Sequence, residues 1–298
     1  MRKNPQLCLN GHIDVVPARL EDYKPKIKTN KIFGRGAIDM KGAVAVMIEV
    51  MRRLKKTAPP MALILVDDEE QSVGKSTYEI IEKTKIKPLF TMVGEQTDFN
   101  IVTKQKGTIN LCIVSKGKSA HGAEPQKGIN AITQLMDTLK KIDTWPIFKK
   151  TAGYRPTCVI STIQGGEATN SVPCCAQAAV NIRYTQNWEA EEIKKKIEKI
   201  KNRKILIHAQ FKPCMMTDAG NKYVERLKTI TRKLLKKDVD IKASSTGSDA
   251  KYFSQAGLPV VVFGPIGKNY HADQEWVEIE GLKKYYSILN SFIYDKTI

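Results

Sequence analysis

No apolar run in this chain approaches the roughly 20 residues that a bilayer-spanning helix requires. The first residues, Met1-Arg2-Lys3-Asn4-Pro5-Gln6-Leu7, are basic but lack an apolar segment behind them, so no signal peptide is expected. The six cysteines, at 8, 112, 158, 174, 175 and 214, form no Cys-x-x-Cys pair. That usage fits reduced thiols in a cytoplasmic protein better than a disulfide framework. Helix-turn-helix, zinc-finger and RNA-binding signatures are missing too, so neither nucleic acid nor membrane is an expected partner. There is no internal repeat, low-complexity segment or long linker. Histidine is scarce, with four in 298 residues, at 12, 121, 208 and 271.

What is present is an ordinary globular composition, 42% hydrophobic and 27% charged, on a chain long enough for one large domain or two smaller ones. Lys and Arg outnumber Asp and Glu by 49 to 31, a net charge of +18. Much of the lysine falls in helical segments such as 192–199, where it reads as a solvated face with helical charge pairs. The remaining functional meaning of the charge is attraction of a small anionic molecule.

Four carboxylates, Asp67-Asp68-Glu69-Glu70, directly follow the apolar run 61–66, which reads as a buried parallel strand. Crowded like charges at a strand end need cations, either Lys and Arg or metal ions. A strand opens at Leu7 and runs into His12-Ile13-Asp14, with His12 and Asp14 on one side of an extended backbone. Residues 23–31 read as loop. A glycine-punctuated turn over 33–42 leads into a helix with Val44, Met47, Ile48, Met51 and Leu54 at helical spacing, ended by Pro59-Pro60. After Gly74 a helix is expected near 75–85, then a strand over 89–93 ending in Gly94-Glu95. This alternation predicts an α/β fold with a mainly parallel sheet and a site at the strands' C-terminal ends. Beyond residue 102 the pattern becomes strand–helix–strand–strand–helix–strand, the ferredoxin-like order. From 214 the first pattern resumes, with a helix over 221–236, another from Ser248, a strand over 258–263 and a closing helix over 280–294. The expected domains are 1–102 with 214–298, and an inserted α+β domain over 103–213.

His12, Asp39, Glu69, Glu70, Glu95 and His271 all fall after strands or in glycine turns of the first domain. Two histidines with several carboxylates suit zinc or a related divalent ion, and Asp14 is placed to orient the His12 ring. With Asp39, Glu70 and Glu95 as ligands and neutral histidines, two divalent ions and one hydroxide bring the total charge to zero, so such a centre can be buried. Glu69 then remains free to accept a proton. Singly, each acid reads as a turn residue. His208, alternating in an apolar strand, reads as structural, as does Cys174-Cys175, and Lys106 receives no role.

Five motifs occur in order: Gly11-His12-Ile13-Asp14-Val15-Val16-Pro17, Gly34-Arg35-Gly36-Ala37-Ile38-Asp39-Met40-Lys41-Gly42, Asp68-Glu69-Glu70, Gly94-Glu95, and His271. Together they resemble the co-catalytic dizinc family of acetylornithine deacetylase, succinyl-diaminopimelate desuccinylase, aminoacylase and the glutamate carboxypeptidases. The inserted domain resembles that family too, through 117–125, 128–131, 169–173 and 181–184. The resemblance implies a zinc-peptidase-like catalytic domain with a lid and dimerisation domain. It implies two divalent metal ions, zinc first and cobalt or manganese next. His12, Asp39 and Glu95 would hold one, and Asp39 would bridge to a second held by Glu70 and His271. Glu69 would take a proton from a bridging metal-bound water and pass it to the leaving amine. His121 would reach across a homodimer to the partner's site, with Asn170 beside it. Arg183 would grip a substrate carboxylate, and Thr246, Gly247 and Ser248 would line the substrate pocket. The implied substrate is a small anionic N-acyl amino acid. A dipeptidase or carboxypeptidase, or a silent dimeric homologue, is the alternative. One departure is that only eleven residues precede His12, where the family carries a helix and a strand. An absent edge strand or a truncated start is the expected consequence.

Overall fold

The computed structural model describes residues 4–71, 75–149 and 153–294; Gly74 lies outside them. The chain divides into two compact units, Met1–Gln105 with Met215–Ile298, and Lys106–Cys214.

The first unit is built on a mixed sheet. Its spatial order is Met215–Met216, Ile101–Gln105, Val260–Val262, Phe90–Val93, Leu7–His12 and Met61–Val66, with Ile241–Ser244 also paired to Ile101–Gln105. Leu7–His12 runs parallel to both Met61–Val66 and Phe90–Val93, and Val260–Val262 runs parallel to Phe90–Val93. Met215–Met216 pairs antiparallel at the far side. The side chains alternate between two cores, as the period of an extended strand demands. Leu7, Leu9, Phe90 and Met92 pack with the helices Gly42–Arg52, Lys222–Leu235 and Ile279–Tyr294. Cys8, Ile64, Val66 and Val93 pack on the other face with Ile81 and Phe253, from the helices Ser76–Thr84 and Ala250–Gln255. Because the register pairs His12 with Val66 and Asn10 with Val93, three strand C-termini lie together along one edge.

Several elements differ from the sequence reading. Residues 23–31 are not all loop, since Lys26–Lys28 and Lys31–Phe33 form a hairpin that pairs with Trp276–Glu278. The first of these strands is exposed along its length, so no apolar alternation marks it. The helix Gly42–Arg52 stops short of Pro59-Pro60, leaving Leu54 beyond its end. The chain also stays in the large sheet through Gln105 rather than 102, on the strand Ile101–Gln105, whose buried Thr103 and Gln105 disguise it.

In the second unit the elements run Gly107–Lys116, helix Ala131–Asp143, Thr157–Gly165, Cys175–Tyr184, helix Asn187–Ile200, Ile205–Lys212. The strands pair antiparallel, in the order fourth, first, third, second. Ile109, Leu111 and Ile113 point to one face and pack with Leu135, Leu139, Ile193 and Ile197 from the two helices. The opposite face carries polar side chains; Asn181 and Asn110 hydrogen-bond across it at 2.7 Å.

Candidate metal centre

His12 is the last residue of its strand, and Asp67 follows the last residue of the neighbouring strand. Parallel pairing therefore delivers the histidine and the acidic stretch to one edge. Asp39 arrives on a loop that turns at Gly36, whose φ of +82° suits glycine. Glu95 follows Phe90–Val93 and lies against Gly264, where an added Cβ would sit 2.3 Å from the Glu95 carbonyl oxygen.

Around these ends the side chains converge. His12 Nε2 lies 3.2 Å from Asp39 Oδ1 and 3.5 Å from Glu95 Oε1. His271 Nε2 lies 3.1 Å from Asp39 Oδ2 and 2.9 Å from Glu70 Oε1. Asp39 thus presents one oxygen to each of two histidine–carboxylate groups. Asp14 braces the arrangement twice. Its carbonyl oxygen is 3.0 Å from His12 Nδ1, with its carboxylate 3.3 Å from the same nitrogen. That carboxylate also accepts the backbone N–H groups of Glu69 and Glu70, at 3.3 and 3.0 Å. Orientation of the ring therefore comes from the Asp14 backbone at least as much as from its carboxylate, which ties the acidic turn in place. Asp68 caps the next helix by accepting the N–H groups of Lys75 and Ser76.

The electrostatics test whether cations fit here. With Nδ1–H donated to Asp14, His12 Nε2 turns a lone pair toward two carboxylate oxygens, and a positive charge must lie between them. His12 is 1% exposed and Asp39 7%, so water compensates little. Without a metal ion, protons relieve much of this charge. Burial pushes Glu95 up to about 8, against the pull of His12 and with the repulsion of Asp39 added. Burial also pushes Glu69 up to about 7, opposed by Lys251 and reinforced by Asp249. Burial acts to lower His12, but its hydrogen bonds to Asp39 and Glu95 outweigh that and raise it to about 12. An excess of carboxylate held together with two imidazoles is the donor set of divalent metal ions. His12, Asp39 and Glu70 alone bring three donor atoms within 4.8 Å of one another.

A cavity of about 200 Å³ opens beside this cluster, lined among others by Glu69, Glu70, Glu95, Thr246, Gly247 and His271. Ser248 does not line it. That hydroxyl is buried and donates to Gln105 Oε1 at 2.8 Å, so Ser248 orients a wall residue instead of facing the cavity. Gln96, Gln105, Ser244 and Tyr270 also belong to the wall; no motif or spacing in the sequence marks them. Glu275, whose carboxylate accepts the Asp39 N–H at 3.1 Å, was also not legible, although its position four residues after His271 is a usable signal. His121, Asn170 and Arg183 belong to the second unit. His121 pairs with Ser171 in a short antiparallel bridge, which holds it next to Asn170, and both are exposed. Arg183 donates to Asn181 Oδ1 at 3.1 Å and Thr108 Oγ1 at 2.8 Å, both neutral acceptors.

Among the described residues no helix is long and apolar enough to cross a membrane. Residues 8–295 match the profile of Peptidase family M20/M25/M40. A succinyl-diaminopimelate desuccinylase of Wolinella succinogenes is 28% identical over 297 residues, spanning 93% of this chain and 81% of that protein. Aminopeptidase PepT from Bacillus cereus has a similar structure, with a TM-score of 0.82 at 23% identity over 97% of this chain and 80% of that one. A Bacillus subtilis protein described as a dinuclear metal binding peptidase from the M20 family gives a TM-score of 0.69 at 14% identity, over 98% of this chain and 82% of that one. At these identities the two structures speak for the fold.

Proposed function

The chain belongs to peptidase family M20/M25/M40 and is a metal-dependent hydrolase, and from that premise we propose that it removes the acyl group from a small anionic N-acyl amino acid, of the succinyl-diaminopimelate type. The observation that carries this reading is Asp39, whose two oxygens face His12 with Glu95 on one side and His271 with Glu70 on the other. His12, Asp39 and Glu95 would hold one divalent ion and Asp39, Glu70 and His271 the second, zinc before cobalt or manganese. Bound there, such ions polarise an amide carbonyl and make water acidic.

The side chains supply the rest. Glu69 takes a proton at its carboxylate from the attacking water and returns it to the leaving nitrogen. Glu69 faces the cavity and is not needed to hold either ion, which leaves its carboxylate free for both transfers. Asp14 keeps His12 and the 69–70 turn in register. Thr246 and Gly247, on the cavity wall, contact the substrate. Arg183, which donates to the neutral acceptors Asn181 and Thr108, would grip a substrate carboxylate.

The second unit serves as a ferredoxin-like lid through which two copies dimerise, and His121 with Asn170 completes the partner's site. Support comes from the edge strand Thr157–Gly165, where Val159 is 57% and Ile163 55% exposed, with Met136 at 59% on the adjoining helix. A hydrolysis screen with added zinc tests the substrate class. N-succinyl-diaminopimelate is expected to be cleaved fastest. Faster cleavage of dipeptides would move the assignment to a peptidase, and absence of both turnover and stoichiometric metal would end the enzyme reading.

A further inference from the structure

The carboxylate of Glu275 is 2% exposed and takes no part in the histidine–carboxylate cluster. Its hydrogen bonds all run to the loop that carries Asp39. Oε2 accepts from Arg35 Nη1 at 2.8 Å and from the Gly36 N–H at 3.0 Å. Oε1 accepts the N–H groups of Ile38 and Asp39 at 3.0 and 3.1 Å. The Glu275 carbonyl oxygen accepts the Gly34 N–H at 3.0 Å as well. One residue thus gathers a guanidinium and four backbone amides from residues 34–39. Arg35 is itself buried, its side chain 4% exposed, so its charge depends on this partner.

The bland reading is a buried ion pair that stabilises the fold. Two features go beyond it. The bonds fall on a stretch whose backbone is not helical at Asp39 (φ −118°, ψ 91°), so regular secondary structure does not hold that residue. They also reach the amide of Asp39, which has to aim Oδ1 at one group and Oδ2 at the other. A donor shared in two directions tolerates little rotation. Glu275 lies four residues after His271, so the same carboxylate ties the Asp39 loop to the chain that presents His271. We propose that Glu275 is a positioning residue that aims Asp39 and couples it to the His271 loop, so that both metal positions depend on it. This rests on the reading of Asp39 as a shared metal donor.

Glu275→Gln keeps the side-chain size but puts an NH₂ donor among N–H donors. Zinc titration of chelator-treated protein by calorimetry is expected to show 10- to 100-fold weaker binding at both positions than in the unsubstituted protein, the usual scale for loss of such a support. Ile288→Val, a core change in the helix Ile279–Tyr294 that removes none of the hydrogen bonds of Glu275, provides the comparison for a general loss of stability and is expected to leave zinc affinity unchanged. Equal affinity in Glu275→Gln and the unsubstituted protein, or equal weakening by Ile288→Val, overturns the proposal. If the unsubstituted protein binds no divalent metal, the metal-centre reading fails first and takes this inference with it. Should Glu275→Gln not fold, amide hydrogen exchange of the unsubstituted, chelator-treated protein decides. Gly36, Ile38 and Asp39 are expected to be protected there without metal, and rapid exchange at all three overturns the proposal.

Discussion

Replacing Glu69 by Gln removes a proton acceptor without emptying its space. Turnover is expected to fall by about 10²- to 10⁴-fold, the range for loss of a positioned acid or base. Bound metal, measured by elemental analysis, is expected to stay at the level of the unsubstituted protein; unchanged turnover would remove Glu69 from proton transfer. Glu95 gives a prediction of a different kind. Burial lifts it from an ordinary 4.5 to about 8, so between these values the folded chain holds more protons than the unfolded one. Stability then falls as pH rises through that window, and His12, raised from 6.5, adds the same sign above its ordinary value. Thermal melts of chelator-treated protein should show a lower Tm at pH 8 than at pH 5, and zinc should restore more at pH 8. A Tm that did not depend on pH in the chelated protein would sink this account.

Elements decide where those residues meet. Parallel pairing sends three strand ends to one edge, and the glycine turn at 36 brings Asp39 to them. In the second unit the helix Ala131–Asp143 starts at Asn130, whose side chain accepts the N–H groups of Ile132 and Thr133. Asn130→Ala is expected to cost about 1 kcal/mol of stability by denaturant unfolding. Among the described residues the strand Thr157–Gly165 is the last of its sheet, and it exposes Ile163. If two copies pair through this strand, as proposed, sedimentation should find the unsubstituted protein dimeric and Ile163→Lys, which puts a charge on that surface, monomeric. A dimer that withstands the change would place the contact elsewhere.

In the proposed dimer of whole molecules, each active site draws on both copies. His121→Ala and Glu69→Gln are each expected to be inactive. Mixed under conditions of subunit exchange they are expected to recover turnover, because each hybrid pairs an intact Glu69 site with an intact partner His121. Exchange without recovered activity would count against catalysis in trans.

The α/β alternation and the family are legible in the chain before it is folded. So are the residues that converge, because motifs at strand ends combine a strong periodic signal with chemistry few other roles require. The hairpin at 26–33 and the strand Ile101–Gln105 were not legible. Lys31–Phe33 and Ile101–Gln105 find partners far along the chain, and Lys26–Lys28 is exposed throughout, so no apolar alternation marks it as a strand. Folding settles the use of individual atoms. It turned Ser248 inward to Gln105, gave Asp14 two tasks, and set Glu275 beneath Asp39. Those outcomes depend on hydrogen bonds between segments as much as 240 residues apart, as between Arg35 and Glu275. A residue's type states which bonds it can make, and only the folded backbone brings it the partner it bonds.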